Sequence, residues 1–433
     1  MLVVIDFDLQ LSMILARKAR ELHVYSQIVS NSVTKEELEA LAPKGIVISG
    51  GLDPEASPDV SGLLDRGILD LGIPVMGINC KACGLSYARY TIGSHEGEQA
   101  FCRFLFETCG FGKDWTARSF IDRSIEEIKS TIGDGRAICG LSGGVDSSVA
   151  SVLVQKAIGD RLTCIFVDTG LLRKGEADDV RRVFGEGFEM NLEMVNAKAR
   201  FLRALKGVID PEEKRKRIGA EFINVFQDEA AKLQGDAGFL VQGTLYSDVL
   251  ESMTNSGTGG SRVKSHHNVG GLPDAIQFEL VEPLRYLFKD EVREVGRELG
   301  IPAHVLERHP FPGPGLGVRI VGEVTEENLE IVREACAIVE EEIHSAGLYR
   351  DLWQAFAVLP DIRSVGVSRG MRTYERPIVI RAINSRDGMT CDWARLPYSV
   401  LERISSRITS EVRGANRVVY DITPKPPGTI EWE

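Results

Sequence analysis

The chain has 433 residues, 43% hydrophobic and 26% charged, with a formal net charge of −12. That length predicts roughly two to four domains, and the acidic balance excludes a broad nucleic-acid surface while leaving room for a local basic phosphate site. An acid at Asp6 comes too soon for a signal peptide, no apolar run is long enough to cross a membrane, and the eight scattered cysteines read as free thiols in a reducing cytoplasm.

The chain begins as alternating strands and helices, the pattern of a parallel sheet. Leu2–Asp6 reads as a strand, Gln10–Leu22 as an amphipathic helix, and Gly45–Ser49 and Ile73–Ile78 as buried strands. The pattern breaks at Asn79, a helix over Glu96–Glu107 follows, and Gly110-Phe111-Gly112 reads as a linker. A second stretch predicts a helix over Ile121–Ile132, a strand over Arg136–Leu141, a loop at Ser142–Gly144 and a helix over Asp146–Ile158. Strands over Leu162–Val167 and Phe239–Gln242 flank a long charged helix over Pro211–Leu233, and the Gly-, Ser- and Thr-rich run Asn255–Arg262 reads as a loop beside the site, placed to act as a lid. The Pro-Gly run 310–317 excludes helix and central strand, and a third unit starts near Phe311, with an interdomain turn as the plainer reading of the run. Beyond it come a helix over Glu326–Ala346, strands near Ile362–Val367 and Pro377–Ala382, a helix over Tyr398–Val412 and a strand over Arg417–Ile422.

The most informative segment is Leu141-Ser142-Gly143-Gly144-Val145-Asp146-Ser147-Ser148, between a buried strand and a buried helix. Two glycines let the backbone approach an anion closely. The N–H groups and positive end of the helix then face that anion, with Ser142, Ser147 and Ser148 as hydroxyl donors. No lysine follows the glycines, so this is not the common Gly-Lys-Ser/Thr phosphate loop. Asp146 suits a carboxylate holding Mg²⁺ against phosphates, and it equally suits a helix cap.

The run resembles the PP-loop of the ATP pyrophosphatases. That family cleaves ATP between its α and β phosphates, adenylylates a substrate oxygen and lets an amine displace AMP. From about Gly110 to Glu433 the chain resembles the GMP synthetase family. The resemblance is carried by Val167–Arg173, Asp210–Lys216, Gln242–Tyr246, Asp248–Ser252, Lys264–Pro273, Pro283–Arg293, Arg308–Pro310 with the Pro-Gly run, and Lys425–Glu433. It implies ATP and Mg²⁺ as cofactors, and conversion of XMP to GMP with ammonia. Ser142, Gly143, Gly144, Val145, Asp146, Ser147 and Ser148 would hold the ATP phosphates, Asp146 would also take Mg²⁺, and Val167, Asp168, Thr169 and Gly170 would border the nucleotide. Lys264, His266, His267 and Lys289 would line the lid or phosphate side, with Asp146, Lys264 and Lys289 catalytic. Arg308, Lys425, Thr429 and Glu431 would form the XMP pocket, with Lys425 suited to its 5′-phosphate. A homodimer is implied, with residues 312–433 as an α+β dimerisation domain and 113–311 as an adenine nucleotide α-hydrolase-like parallel-sheet domain. The chain departs from the family pattern at Ser247, in Val367–Tyr374 and at Thr423-Pro424.

Residues 1–112 resemble a shortened class I glutamine amidotransferase, a truncated flavodoxin-like unit. Asn79 stands where that family places its cysteine nucleophile, Cys80 follows one residue later, and the His-Pro-Glu base is missing. The chain passes from Cys83 to the helix at Glu96, so the segment that would carry the base is deleted. A Cys–His nucleophile needs a thiolate and an oriented imidazole, so ammonia, free or from a separate glutaminase, is the expected nitrogen source. Cys80, Cys83, Cys102 and Cys109 read as thiols, with a zinc or iron–sulfur site as the alternative. Two further functions stay open: a paralogous ligase aminating another purine-like nucleotide, and a non-catalytic nucleotide-binding regulator.

Overall fold

The structure, a computed structural model, describes every residue except 54–58, 61–62, 82–85, 89–93, 234–236, 256–277, 369 and 386–387. The chain divides into two units, Met1–Arg123 and Ser124–Glu433, with the division inside the helix Ala117–Ile132.

In the first unit, β1 (Leu2–Asp6), β2 (Ser26–Ser30), β3 (Gly45–Ser49), β4 (Val75–Ile78) and β5 (Ser86–Ala88) form one parallel sheet in the order 2-1-3-4-5. β1 and β3 are continuous apolar runs because helices cover both faces of such a sheet. The expected helix near residue 10 is Leu9–Glu21, capped by the Asp8 carboxylate, which accepts from Leu11 N at 2.9 Å. Several elements went unread in the sequence, β5 and two others among them. β2 has an apolar run of only Ile28-Val29, and the helix Lys35–Leu41 is set by a Thr34–Glu37 capping box. The helix expected at Glu96–Glu107 is α-helical over His95–Arg103 and continues as a π turn over Phe104–Thr108.

The second unit holds two sheets. The first is parallel, β6 (Arg136–Gly140), β7 (Leu162–Asp168), β8 (Asn191–Asn196), β9 (Ala237–Val241) and β10 (Glu279–Val281), in the order 10-9-6-7-8. The second is mixed: β13 (Met371–Ser385) pairs antiparallel with β11 (Gln354–Val358), β12 (Ser364–Ser368) and β14 (Cys391–Trp393), and parallel with β15 (Ala415–Tyr420). β13 runs well beyond the expected Pro377–Ala382 because its polar first half is held by pairing with β12, which periodicity does not register.

Ile138 and Ile165 of the parallel sheet share one buried cluster with Ile378 and Ile404 of the later segment. The Pro-Gly run is stitched into that core. Leu316 N donates to Leu171 O at 2.8 Å, and a Cβ on Gly315 would meet that same oxygen at 2.4 Å. With φ at +61°, Gly315 also adopts a conformation that side chains disfavour.

Candidate functional site

The phosphate loop sits where β6 ends and the helix Val145–Ile158 begins. That helix is apolar on nearly every face and packs inside the unit, so its N-terminus is rigidly placed. Gly143 turns the chain at φ +75° and Gly144 is the N-cap. Ser142 Oγ lies 2.9 Å from Ser147 Oγ and accepts from Gly144 N at 3.3 Å, while Ser147 Oγ accepts from Ser142 N at 3.2 Å. Two hydroxyls are thereby clustered at the positive end of a helix, the arrangement that suits a phosphate. Ser148 differs from the expectation. It is fully buried, its hydroxyl has no partner among the described residues, and it presents nothing to the open side of the loop. Val145 is buried too, so it can offer only its backbone.

Lys289 begins the helix Lys289–Glu298 and reaches back across 143 positions to Asp146, with Nζ 2.6 Å from both carboxylate oxygens. Both side chains remain partly exposed. Gly243, after β9, comes so close that a Cβ there would lie 3.2 Å from the Asp146 carbonyl carbon. A Mg²⁺ ion is usually held by one or two carboxylates together with substrate phosphates. Asp146 matches that donor set, because a carboxylate bonded to one ammonium keeps lone pairs for a metal. Lys264, His266 and His267 lie outside the described residues.

At the carboxyl ends of β7 and β8 a hollow of about 770 Å³ is bordered by Asp168, Gly170, Asn196 and Lys198. Ligands of open parallel sheets bind at such ends. Asp168 accepts from Gly170 N at 2.9 Å and pairs with Lys198 at 3.1 Å. The side chains of Val167 and Thr169 are buried, and Thr169 Oγ1 accepts from Leu171 N at 3.1 Å, so neither faces this hollow.

A second cavity, about 460 Å³, is lined by Arg173, Glu176, Arg308, His309, Arg319 and Tyr349, among others. Arg308 was grouped with the tail residues by resemblance; the structure places it beneath the phosphate loop. Its Nη1 donates to Gly143 O and its Nη2 to Glu176 Oε1 at 2.5 Å. Burial and the neighbouring Arg308 push the Arg173 guanidinium down to about 10. The tail is held by other cations. Glu431 accepts from Arg319 Nη2 at 3.1 Å and from Gln354 Nε2 at 2.9 Å. The fully buried Arg381 donates to Thr423 O at 2.5 Å and to Thr429 O at 2.9 Å. Lys214, also fully buried, donates to Ile320 O at 2.6 Å and pairs with Glu433. Lys425 Nζ donates to Gly388 O at 2.8 Å, and Thr429 Oγ1 donates to Glu431 O. Of the four residues expected to form one pocket, Thr429 and Glu431 are joined by a hydrogen bond. Glu176, Arg319 and Arg381 were not anticipated, because a lone charged residue carries no local sign of a partner far along the chain.

In the first unit Asn79 closes β4 at φ +51°, a left-handed conformation rare outside glycine. It is fully buried, its Nδ2 donates to Gly51 O at 2.9 Å, and a Cβ on Gly50 would strike its carbonyl oxygen at 2.1 Å. The turn after β4 is therefore left-handed, with an amide side chain at its apex. Cys80 faces the core, donates to Ile48 O at 3.5 Å, and has its thiol pushed up to about 11 by burial. His95 is exposed and its Nε2 lies 2.7 Å from Gln99 Nε2. Burial also pushes the Cys109 thiol up to about 11. Cys83 lies outside the described residues, and among those described no group of three His, Cys, Asp or Glu side chains is arranged to hold a metal. No described helix is long and apolar enough to cross a membrane.

Three family profiles match the chain: glutamine amidotransferase class-I over residues 3–91, NAD synthase over 118–219, and GMP synthase C terminal domain over 341–432. The GMP synthase [glutamine-hydrolyzing] of Geobacillus kaustophilus is 48% identical over 512 aligned positions, which cover 100% of this chain and 99% of the relative. The proteins of that name from Oceanobacillus iheyensis and from Bacillus thuringiensis subsp. konkukian are 47% and 46% identical, covering 100% of this chain and 99% and 98% of their own lengths. Because the alignment with the Geobacillus protein is longer than this 433-residue chain, that relative carries about 80 residues that face gaps here.

Proposed function

The chain belongs to the GMP synthase family, and from that premise we propose that it aminates XMP to GMP at the expense of ATP, taking ammonia and not glutamine. The XMP oxygen at C2 attacks the α-phosphorus of ATP, the bond to the β-phosphate breaks, and pyrophosphate leaves. Ammonia then adds at C2, loses a proton, and AMP departs with the oxygen. The phosphate loop holds the leaving pyrophosphate through backbone N–H groups and the hydroxyls of Ser142 and Ser147. Lys289 offers its ammonium at the same spot and keeps Asp146 oriented. A Mg²⁺ bound at Asp146 would neutralise charge on the phosphates. Residues 1–112, 113–311 and 312–433 are assigned as amidotransferase remnant, ATP pyrophosphatase and dimerisation segments of a homodimer.

The single observation that supports ammonia over glutamine is Asn79 at the apex of the left-handed turn. An amide is no nucleophile, and the neighbouring Cys80 is buried, protonated at neutral pH, and turns its thiol to Ile48 O. General-base help alone is typically worth about 10²–10⁴-fold. The test supplies purified protein with ATP, Mg²⁺ and XMP, and either ammonium or glutamine. Ammonium should give GMP, AMP and pyrophosphate, and glutamine should give neither GMP nor glutamate. Release of ADP and phosphate would refute the bond assignment. Glutamate release that disappears in Cys80→Ala would refute the nitrogen source. Turnover of another oxo-purine nucleotide in place of XMP would identify a paralogue.

A further inference from the structure

We propose that Arg308 is a positioning residue for the phosphate loop, fixing the Gly143–Gly144 peptide to receive pyrophosphate, and not a ligand of the acceptor nucleotide. The inference rests on the reading of that loop as the grip on ATP phosphates.

Arg308 Nη1 donates to the carbonyl of Gly143. In a trans peptide the C=O and the next N–H point in opposite directions. Drawing the Gly143 carbonyl toward Arg308 therefore turns the Gly144 N–H to the other side. There Gly144 N meets Ser142 Oγ at 3.3 Å, and Ser147 Oγ lies 2.9 Å from that hydroxyl. The guanidinium and the anion-binding groups thus lie at opposite edges of one peptide unit. Glycine at 143 allows this twice over. Its φ of +75° is one that side chains disfavour, and a Cβ would meet Val180 Cγ2 at 3.0 Å and Arg308 Nη1 at 3.5 Å.

The guanidinium is itself held. Its Nη2 donates to Glu176 Oε1 at 2.5 Å, and Glu176 Oε2 accepts from Arg173 N at 3.0 Å. Arg173 Nη2 donates to His309 O at 2.8 Å, which closes a circuit back to the residue beside Arg308. His309 is clamped by Tyr349: its N donates to Tyr349 Oη at 2.9 Å, and the two rings stack with centroids 3.8 Å apart. Arg308 and Glu176 are 17% and 6% exposed, so their pairing is sheltered from water. One Arg308 nitrogen serves the carbonyl and another the carboxylate. This needs the planar fork of arginine, and lysine, a point charge with one nitrogen, does not reproduce it.

The experiment measures pyrophosphate affinity by calorimetry, which needs no acceptor, and steady-state KM for ATP and for XMP, in wild type, Arg308→Gln, Arg308→Lys and Glu176→Gln. Arg308→Gln and Arg308→Lys should both weaken pyrophosphate binding and raise KM for ATP by roughly tenfold or more, with KM for XMP within about twofold of wild type. Glu176→Gln keeps an acceptor of the same size and should give a smaller shift in the same direction, so a misfolded Arg308 variant leaves the idea testable. A raised KM for XMP with pyrophosphate affinity intact would overturn it, and so would full rescue by lysine. If wild type turns over no XMP but binds pyrophosphate, and the Arg308 variants lose that binding, the acceptor assignment fails and this inference stands.

Discussion

Asp146 and Lys425 belong to different halves of the proposed reaction, and their surroundings make the difference measurable. Asp146 is at the helix N-terminus beside the phosphate loop, its two oxygens 2.6 Å from Lys289 Nζ. Lys425 is in the tail, donating to Gly388 O at 2.8 Å, a neutral partner that a phosphate would readily replace. Asp146→Asn removes the carboxylate that pairs with Lys289 and suits Mg²⁺, so kcat should fall by at least roughly a hundredfold. Lys425→Ala removes a contact made equally in ground and transition states, so KM for the acceptor nucleotide should rise about tenfold with kcat little changed. Steady-state kinetics on both variants decide, and equal defects in every parameter, with native folding, would count against separate roles.

At the scale of elements, the tail and the helix Pro211–Lys232 form one construction. Pro211 at the first position and Asp210, accepting from Glu213 N at 2.8 Å, start that helix sharply, which sets Lys214 one turn in. Lys214 is wholly buried against Ile320 O and the Glu433 carboxylate, while Arg215 Nη2 donates to Glu433 O. Burial lowers the Lys214 ammonium and raises the Glu433 carboxyl, so each depends on the other to stay charged. Lys214→Met strands a buried carboxylate, and breaking such a pair costs about 3–5 kcal/mol. Chemical denaturation should show that loss, with limited proteolysis cutting the tail first. Lys214→Met combined with Glu433→Gln should lose clearly less than the two single losses added together; simple additivity would mean the pair is not coupled.

For the whole molecule, the proposed homodimer makes a prediction about surface. β12 and β13 carry Val365, Val367 and Tyr374, 55%, 75% and 63% exposed, and the register places Tyr374 opposite Val365. Adjacent exposed apolar side chains on a sheet are a common interface signature. The chain weighs 47.6 kDa, so sedimentation should report about 95 kDa for wild type. Val365→Asp with Val367→Asp should shift the mass toward the single chain without lowering the melting temperature of the fold itself. A wild-type mass of one chain would remove the dimer from the proposal.

The phosphate loop was legible in the sequence, because the signals for strand, Gly-Gly turn and buried helix all lie within a few residues of one another. The break in pattern at Asn79 was legible for the same reason, and the structure adds that the turn there is left-handed at φ +51°. The parallel strands followed from unbroken apolar runs, whereas β2, with two such residues, did not. What only the tertiary structure decided is which distant charges meet. Lys289 finds Asp146 across 143 positions, Arg308 finds Gly143 across 165, and Lys214 finds Glu433 across 219. Periodicity and turn chemistry report on neighbours along the chain. Pairing across the chain follows from how the sheets stack around their shared core, and an isolated arginine or glutamate in a sequence bears no mark of the partner that packing will bring to it.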